Sequence, residues 1–481
     1  MDENIKEKTI LGLTWSAIDS IASQGVTFII GIVLARLLSP SEFGTLGIAM
    51  IFVGLFNKFV DCGFSSALIR KKDVSQTDYN TAFIFNISAS FVLYFLCFCL
   101  SPLFSRFFDN SDLNHVLRWM SLVIIIDAIG IIQKTRLIKS IDFKTQTKIS
   151  LISSITSGTI GVIAATQGCG VMSLVYQQLC RQTLNTLLLW TYNKWRPQLE
   201  FSLKSFKEQF SYGVKLLVSG LIDYGFNEAA SFVVGKVNTP ATLGQYSRAR
   251  QFSSIFSSNF SSIMERVTFP VLSKFQDDKQ LLVIQYKRIV KCIMLISGFF
   301  MVTLACTAES VVLILVGNKW TEAILYLQII CFNDIFYPVK QVNLNAIKVT
   351  GRTDLILKVT IYKRFIQIIP IFLGIFNIYY MLIGLVVASF LGLILNAYYA
   401  GECIPYTVKD QLKDILQPIL ICATPGVVMY SISFLDFNIY VQLVLQLLVG
   451  LPLFFIMLHV FKMPEYDFMK DIVLSIIIKK K

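Results

Sequence analysis

Fourteen windows of roughly 20 mostly apolar residues recur along the chain, near residues 10–36, 43–61, 81–105, 116–133, 149–166, 171–192, 209–235, 243–265, 289–307, 322–340, 357–376, 379–400, 415–433 and 438–461. Each matches the hydrocarbon thickness of a bilayer. Inside lipid, every backbone amide and carbonyl has to be paired within the protein, so the predicted class is an all-α polytopic membrane protein with about 14 transmembrane helices. A charged fraction of only 15% and 39 phenylalanines among 481 residues agree with that, because an ordinary soluble core needs far less apolar side chain. The first window is too long for the apolar core of a signal peptide and no small-residue cleavage site follows it, so it is read as an uncleaved first span.

Lysine and arginine outnumber the acids 43 to 30. In a membrane chain such an excess marks topology rather than nucleic-acid binding, and no nucleic-acid partner is expected. With the N-terminus placed in the cytoplasm, one side receives Lys6, Lys8, Arg70, Lys71, Lys72, Lys409 and Lys413. It also receives the bases of 134–148, 194–207, 266–288, 340–358 and 462–481, thirty in all, against five on the other side: Arg36, Arg106, Arg118, Lys236 and Lys319. This bias predicts that both termini are cytoplasmic.

The chain repeats itself. IDSIASQGVTFIIG from Ile18 matches IDYGFNEAASFVVG from Ile222, which aligns Asp19 with Asp223, Gln24 with Glu228 and Gly31 with Gly235. Pro40 and Gly44 recur as Pro240 and Gly244, and Asp127 in the fourth span corresponds to Asp334 in the tenth. Each motif lies an even number of spans from its mate, so the two copies share one orientation, a plan common among transporters that places a site between the halves. The expected division is a six-helix bundle over 1–200, a second over 201–402, and two further transmembrane helices with a cytoplasmic tail over 403–481.

Polar residues inside spans are expensive in lipid and usually face a cavity or a partner. The eighth span, GQYSRARQFSSIFSSNFSSIM, sets Arg250, Ser254, Ser257, Ser258, Ser261 and Glu265 on one helical face and Phe252, Ile255, Phe256, Phe260 and Ile263 on another. Arg248, two residues from Arg250, faces elsewhere and reads as a packing or interface residue. The sixth span aligns Gln177, Gln178, Arg181 and Asn185, with Arg181 near mid-membrane; the seventh aligns Lys215, Ser219, Asp223 and Asn227; the first aligns Ser16, Asp19, Ser20, Ser23 and Thr27. These stripes predict a water-filled, partly cationic cavity. Its candidate substrate-binding residues are Arg181, Arg250, Lys215, Asp223, Asp19, Gln177, Asn185, Ser254, Ser257 and Ser258, and Asp127, Asp334, Glu228 and Asp61 are candidates for ion coupling. Arg36, Lys58, Lys291, Lys363 and Arg364 read as anchors that reach out to the membrane surface.

The ten cysteines form no C-x-x-C pair and the two histidines, His115 and His459, lie far apart, so neither a metal site nor a cofactor is expected. No phosphate-binding loop, HExxH or nucleophile-elbow motif is present and the outer loops are short, which argues against an enzyme.

The segments LARLLSPSEFG, FVDCGFSSALIRK, LGQYSRARQFSS and FPVLSKFQDD resemble those of bacterial polysaccharide flippases of the Wzx and WzxC type, in the multidrug/oligosaccharidyl-lipid/polysaccharide exporter superfamily. The resemblance covers essentially the whole chain and is strongest over 10–80 and 205–280. It implies two parallel-repeat six-helix bundles, like those of the MATE transporters, plus two C-terminal helices. The implied activity is movement of undecaprenyl-diphosphate-linked oligosaccharide repeat units across the bacterial inner membrane for O-antigen, capsule or exopolysaccharide synthesis. The implied partners are that lipid-linked oligosaccharide, the lipid bilayer, and a polysaccharide polymerase with other biosynthesis proteins. A lipid II flippase or a small-molecule exporter of the same fold is the alternative, and a membrane-embedded polysaccharide enzyme a more distant one.

Overall fold

A computed structural model of the chain describes residues 22–276, 278–461 and 463, and over these the chain is helical with no β-strand. The helices are α1 (Ala22–Leu37), α2 (Pro40–Asp61), α3 (Phe64–Arg70), α4 (Gln76–Phe107), α5 (Ser111–Met120), α6 (Leu122–Lys139), α7 (Phe143–Thr166), α8 (Val171–Tyr192) and α9 (Leu203–Val237). They continue as α10 (Pro240–Ser273), α11 (Lys279–Cys306), α12 (Ala308–Leu315), α13 (Thr321–Asp334), α14 (Tyr337–Val349), α15 (Thr353–Leu373), α16 (Ile378–Cys403), α17 (Val408–Ile432) and α18 (Ile439–Val460). Eight helical stretches among the described residues are long and apolar enough to cross a membrane, with α5 and α6 counted as one. The protein is therefore a polytopic, all-α membrane protein. Helices α8, α9, α10 and α15 match that length but are too polar or too charged to be counted with them, and they are the ones that carry Arg181, Lys215, Arg250 and Lys363.

Local sequence explains the helix starts. Ser39 caps α2: its hydroxyl accepts from the Glu42 amide while Glu42 accepts from the Ser39 amide at 2.6 Å, and Pro40 takes the first turn, where no amide proton is needed. The start of α10 repeats the device in reduced form, with Thr239 Oγ1 accepting from the Thr242 amide at 3.2 Å ahead of Pro240. Helix α2 ends where Cys62 and Gly63 take positive φ, of 46° and 73°.

The chain divides into two compact units between Gly244 and Gln245, inside α10. Within the first unit, the opening turns of α2 and α10 touch backbone to backbone. A methyl group on Gly44 would stand 1.7 Å from the Pro240 carbonyl oxygen, and one on Gly244 would stand 1.9 Å from that of Pro40. Only glycine fits either position.

The internal repeat is written in side-chain hydrogen bonds. In the first unit Thr186 Oγ1 donates to the Ile126 carbonyl at 3.0 Å and Asn193 Nδ2 to that of Gln133 at 3.2 Å. In the second, Ser389 Oγ donates to the Asn333 carbonyl at 2.6 Å and Asn396 Nδ2 to that of Lys340 at 3.1 Å. Thr186 and Asn193 are as far apart as Ser389 and Asn396, and Ile126 and Gln133 as far apart as Asn333 and Lys340. Two helix pairs, α6 with α8 and α13–α14 with α16, thus make the same contacts in each unit. In the second copy Ile335 and Phe336 break the helix after Asp334, and Pro338 restarts it as α14.

Candidate functional site: two polar cavities

In the first unit, α6, α7 and α8 enclose a cavity of about 320 Å³. Lys134, Gln146, Ser150, Ser153, Gln178, Arg181, Gln182 and Asn185 supply its polar wall, and Ile149 and Leu189 the rest. Gln178, Arg181, Gln182 and Asn185 follow the three-and-four spacing of a single helix face. Ser150 is also hydrogen-bonded to Ser23 of α1 at 2.9 Å. A guanidinium at mid-helix costs about 3 kcal/mol to insert near the bilayer centre, and among the described residues Arg181 has neither a hydrogen bond nor an ion pair to offset that cost. Its charge is directed to the cavity and what enters it.

In the second unit, a cavity of about 250 Å³ is lined by Arg250, Ser254, Ser257 and Ser258 of α10 together with Asn333 and Asp334 of α13 and Tyr337 of α14. Asp334 is held firmly. Its Oδ2 accepts from Ser253 Oγ at 2.6 Å and from Ser257 Oγ at 3.3 Å, and its Oδ1 from Asn333 Nδ2 at 2.8 Å.

The serines of α10 divide by face. Ser253, Ser257 and Ser261 are buried, whereas Ser254 is half-buried and Ser258 exposed. Most of these hydroxyls bond back to their own helix: Ser254 donates to the Gln251 carbonyl, Ser258 to that of Ser254, and Ser261 to that of Ser257. Phe256 and Ile263 lie on the outside of the unit. Arg248, 3% exposed, packs its guanidinium 5.2 Å from the ring centre of the fully buried Trp320 and donates to Gln251 Oε1 at 2.7 Å, the placement expected of a packing residue.

The structure gathers the candidate residues into separate places. Arg181 and Asn185 line the first cavity, and Arg250, Ser254, Ser257, Ser258 and Asp334 the second. Gln177 turns aside onto α7, where a methyl on Gly161 would come within 2.9 Å of its Cβ, and Gln178 and Gln182 take its place in the cavity wall. Lys215 and Asp223 are exposed on α9, and Glu228 is half-buried. Asp127 accepts from Asn57 Nδ2 of α2 at 2.8 Å. Asp61 accepts from the amide and hydroxyl of Ser65 and so caps the turn between α2 and α3. Asp19 lies outside the described residues.

Two lining features escape a reading by periodicity. Lys134 falls just past the fourth apolar window and counts there as a loop base, yet α6 runs on to Lys139 and carries it into the cavity. Gln146 likewise sits ahead of its window, in the first turn of α7. Outside the spans, Lys71 pairs with Asp78 at 2.9 Å, and the bond to that carboxylate raises the lysine pKa.

A helical bundle that crosses the membrane many times, repeats its packing, and holds polar cavities within its units is a transporter architecture. Residues 33–325 match the polysaccharide biosynthesis protein family, and the chain belongs to it. It is 24% identical to the lipopolysaccharide biosynthesis protein WzxC of Escherichia coli K12, over 77% of this chain and 76% of that one. It is 22% identical to the teichuronic acid biosynthesis protein TuaB of Bacillus subtilis 168, over 89% and 90%. In fold it is similar to the lipid II flippase MurJ in its inward closed conformation, with a TM-score of 0.73 at 15% identity over 94% of this chain and 98% of that one.

Proposed function

We propose that this protein is a flippase that carries undecaprenyl-diphosphate-linked oligosaccharide repeat units from the cytoplasmic to the outer leaflet of the bacterial inner membrane, for O-antigen, capsule or exopolysaccharide synthesis. The observation that carries the reading is the first-unit cavity. Arg181 and Lys134 meet there among four side-chain amides and two serine hydroxyls. A diphosphate leaving water needs cations, and sugar hydroxyls need donors and acceptors to replace the water they lose. The activity is transport rather than catalysis, and the substrate reaches its site from the bilayer.

The same reading takes both termini as cytoplasmic and the chain as six helices over 1–200, six over 201–402 and two after them. Lys215, Asp223 and Asp19 would add polar contacts for the substrate, and Asp127, Asp334, Glu228 and Asp61 would serve ion coupling. A polymerase acting on the delivered repeat units is the expected partner.

The test is deletion of the gene in its native host. Surface polysaccharide should fall while lipid-linked repeat units accumulate in the cytoplasmic leaflet, and the wild-type gene on a plasmid should restore export. Unchanged surface polysaccharide together with unchanged lipid-linked intermediates would overturn the assignment.

A further inference from the structure

In the second unit, Lys340 of α14 and Lys363 of α15 converge on one residue of α16. A methyl group on Gly392 would stand 3.6 Å from Lys363 Cδ and 4.0 Å from Lys340 Cδ, so both stems lie over the same side-chain-free position. Lys340 Nζ donates to Ser389 Oγ at 2.7 Å, and Ser389 in turn donates to the Asn333 carbonyl. Among the described residues that is the one hydrogen bond to either ammonium, although each carries three N–H donors. No carboxylate of the described residues stands within ion-pair distance of them. Asp334 is already occupied by Ser253, Ser257 and Asn333.

Two neighbouring cations inside a membrane bundle, with most of their donors unused, are costly unless an anion joins them. The repeat sharpens this. By the hydrogen-bonded pairs that recur in each unit, Lys340 stands where the first unit has the neutral Gln133, and Gly392 where it has Leu189. Counted from the first residue of each helix, Lys363 on α15 falls at the place of Ser153 on α7. Ser153 and Leu189 both line the first-unit cavity. At the corresponding place the second unit therefore presents two ammonium groups and an absent side chain.

We infer that Lys340, Lys363 and Gly392 form an oxyanion-binding site, which takes a carboxylate or phosphate group between the two ammoniums. Two point charges on flexible stems suit a group whose oxygens point in more than one direction, whereas a planar guanidinium fork would select one face. Ser389 fixes one ammonium and leaves the other free to close on the ligand. This site lies wholly in the second unit and goes beyond the function proposed above, since it does not depend on which molecule is exported.

The experiment uses the full chain in lipid nanodiscs, with its melting temperature followed at constant ionic strength against sodium phosphate, sodium glucuronate and, as a neutral control, glucose. At least one of the two anions should raise the melting temperature while glucose does not, because a ligand that binds only the folded state stabilises it. Phosphate acting alone assigns the site to a phosphate-bearing ligand, and glucuronate acting alone assigns it to an acidic sugar. Lys363→Met should weaken the response about thirtyfold or more, as expected for removing one partner of a buried charge pair. Lys340→Met should do the same, and Lys274→Met, at an exposed lysine that lines neither cavity, should retain the response. Because Lys363 has no hydrogen bond among the described residues, its replacement leaves no group unpaired and stays informative if Lys340→Met fails to fold. Absence of a response to both anions in the wild type, or an equal response in both Lys340→Met and Lys363→Met, would overturn the inference. Neither result touches the deletion phenotype that tests the flippase reading.

Discussion

Asn57 of α2 gives its side-chain amide to the Asp127 carboxylate of α6 at 2.8 Å, and the second unit repeats the relationship with Ser257 of α10 and Asp334 of α13. Asn57 and Ser257 are separated by the same number of residues as Pro40 and Pro240, so a repeat seen first in proline and glycine positions extends to the partner of each mid-membrane aspartate. The two carboxylates differ in their support. Among the described residues, Asp127 takes its one side-chain donor from α2, whereas Asp334 has Ser253, Ser257 and Asn333.

Asn57→Ala should consequently cost about 1–3 kcal/mol, the penalty for leaving a half-buried polar group without its partner. Ser257→Ala should cost less, because two donors to Asp334 remain. Melting temperatures of the two variants in the same detergent give the comparison. A larger loss for Ser257→Ala would show that the hydrogen-bond inventory does not rank the two sites.

Arg181→Ala and Arg250→Ala should abolish or strongly reduce surface polysaccharide at normal membrane abundance, and Lys134→Ala should reduce it. Lysine in place of either arginine should keep part of the activity, since charge survives while the bidentate fork is lost. Arg248→Ala should act differently, by lowering the amount of folded protein through the lost packing on Trp320. Polysaccharide output per unit of folded protein separates the two effects. Normal export by both Arg181→Ala and Arg250→Ala would remove the cationic reading of the cavities.

Gly44→Ala and Gly244→Ala should each destabilise the contact between the opening turns of α2 and α10 by about 1–3 kcal/mol or more, because the new methyl meets a backbone carbonyl that has no side-chain freedom to yield. Gly220→Ala on α9 is the control, since a methyl there meets open space and the helix gains propensity. Folded yield after membrane extraction is the readout. Equal yields for the three variants would contradict the close approach.

Reporter tags after Lys72, Lys139 and Lys413 should report cytoplasmic, and tags after Asp109 and Asn318 periplasmic. A periplasmic signal at Lys139 would overturn the thirty-to-five division of basic residues and the common orientation of the two copies.

The sequence alone determined the all-α membrane class and the existence of a repeat, because bilayer thickness and helical period are read within one segment and need no knowledge of its neighbours. Arg181 and Asn185 were legible for the same reason: they share a helix face, and that face lines a cavity. Tertiary structure decided what depends on facing helices. Ser253, Ser257 and Ser261 form a buried face because Asp334 on α13 receives two of those hydroxyls and supplies the polar contact a lipid surface would not. Lys134 and Lys340 sit at window edges where hydropathy reads a loop, and continued helix carries one into the first cavity and the other against Ser389. Lys363 reads alone as an anchor reaching for the membrane surface; only the packing of α14, α15 and α16 brings it over Gly392 beside a second lysine, since convergence of side chains far apart in sequence is set by helix packing and not by the period of any one helix.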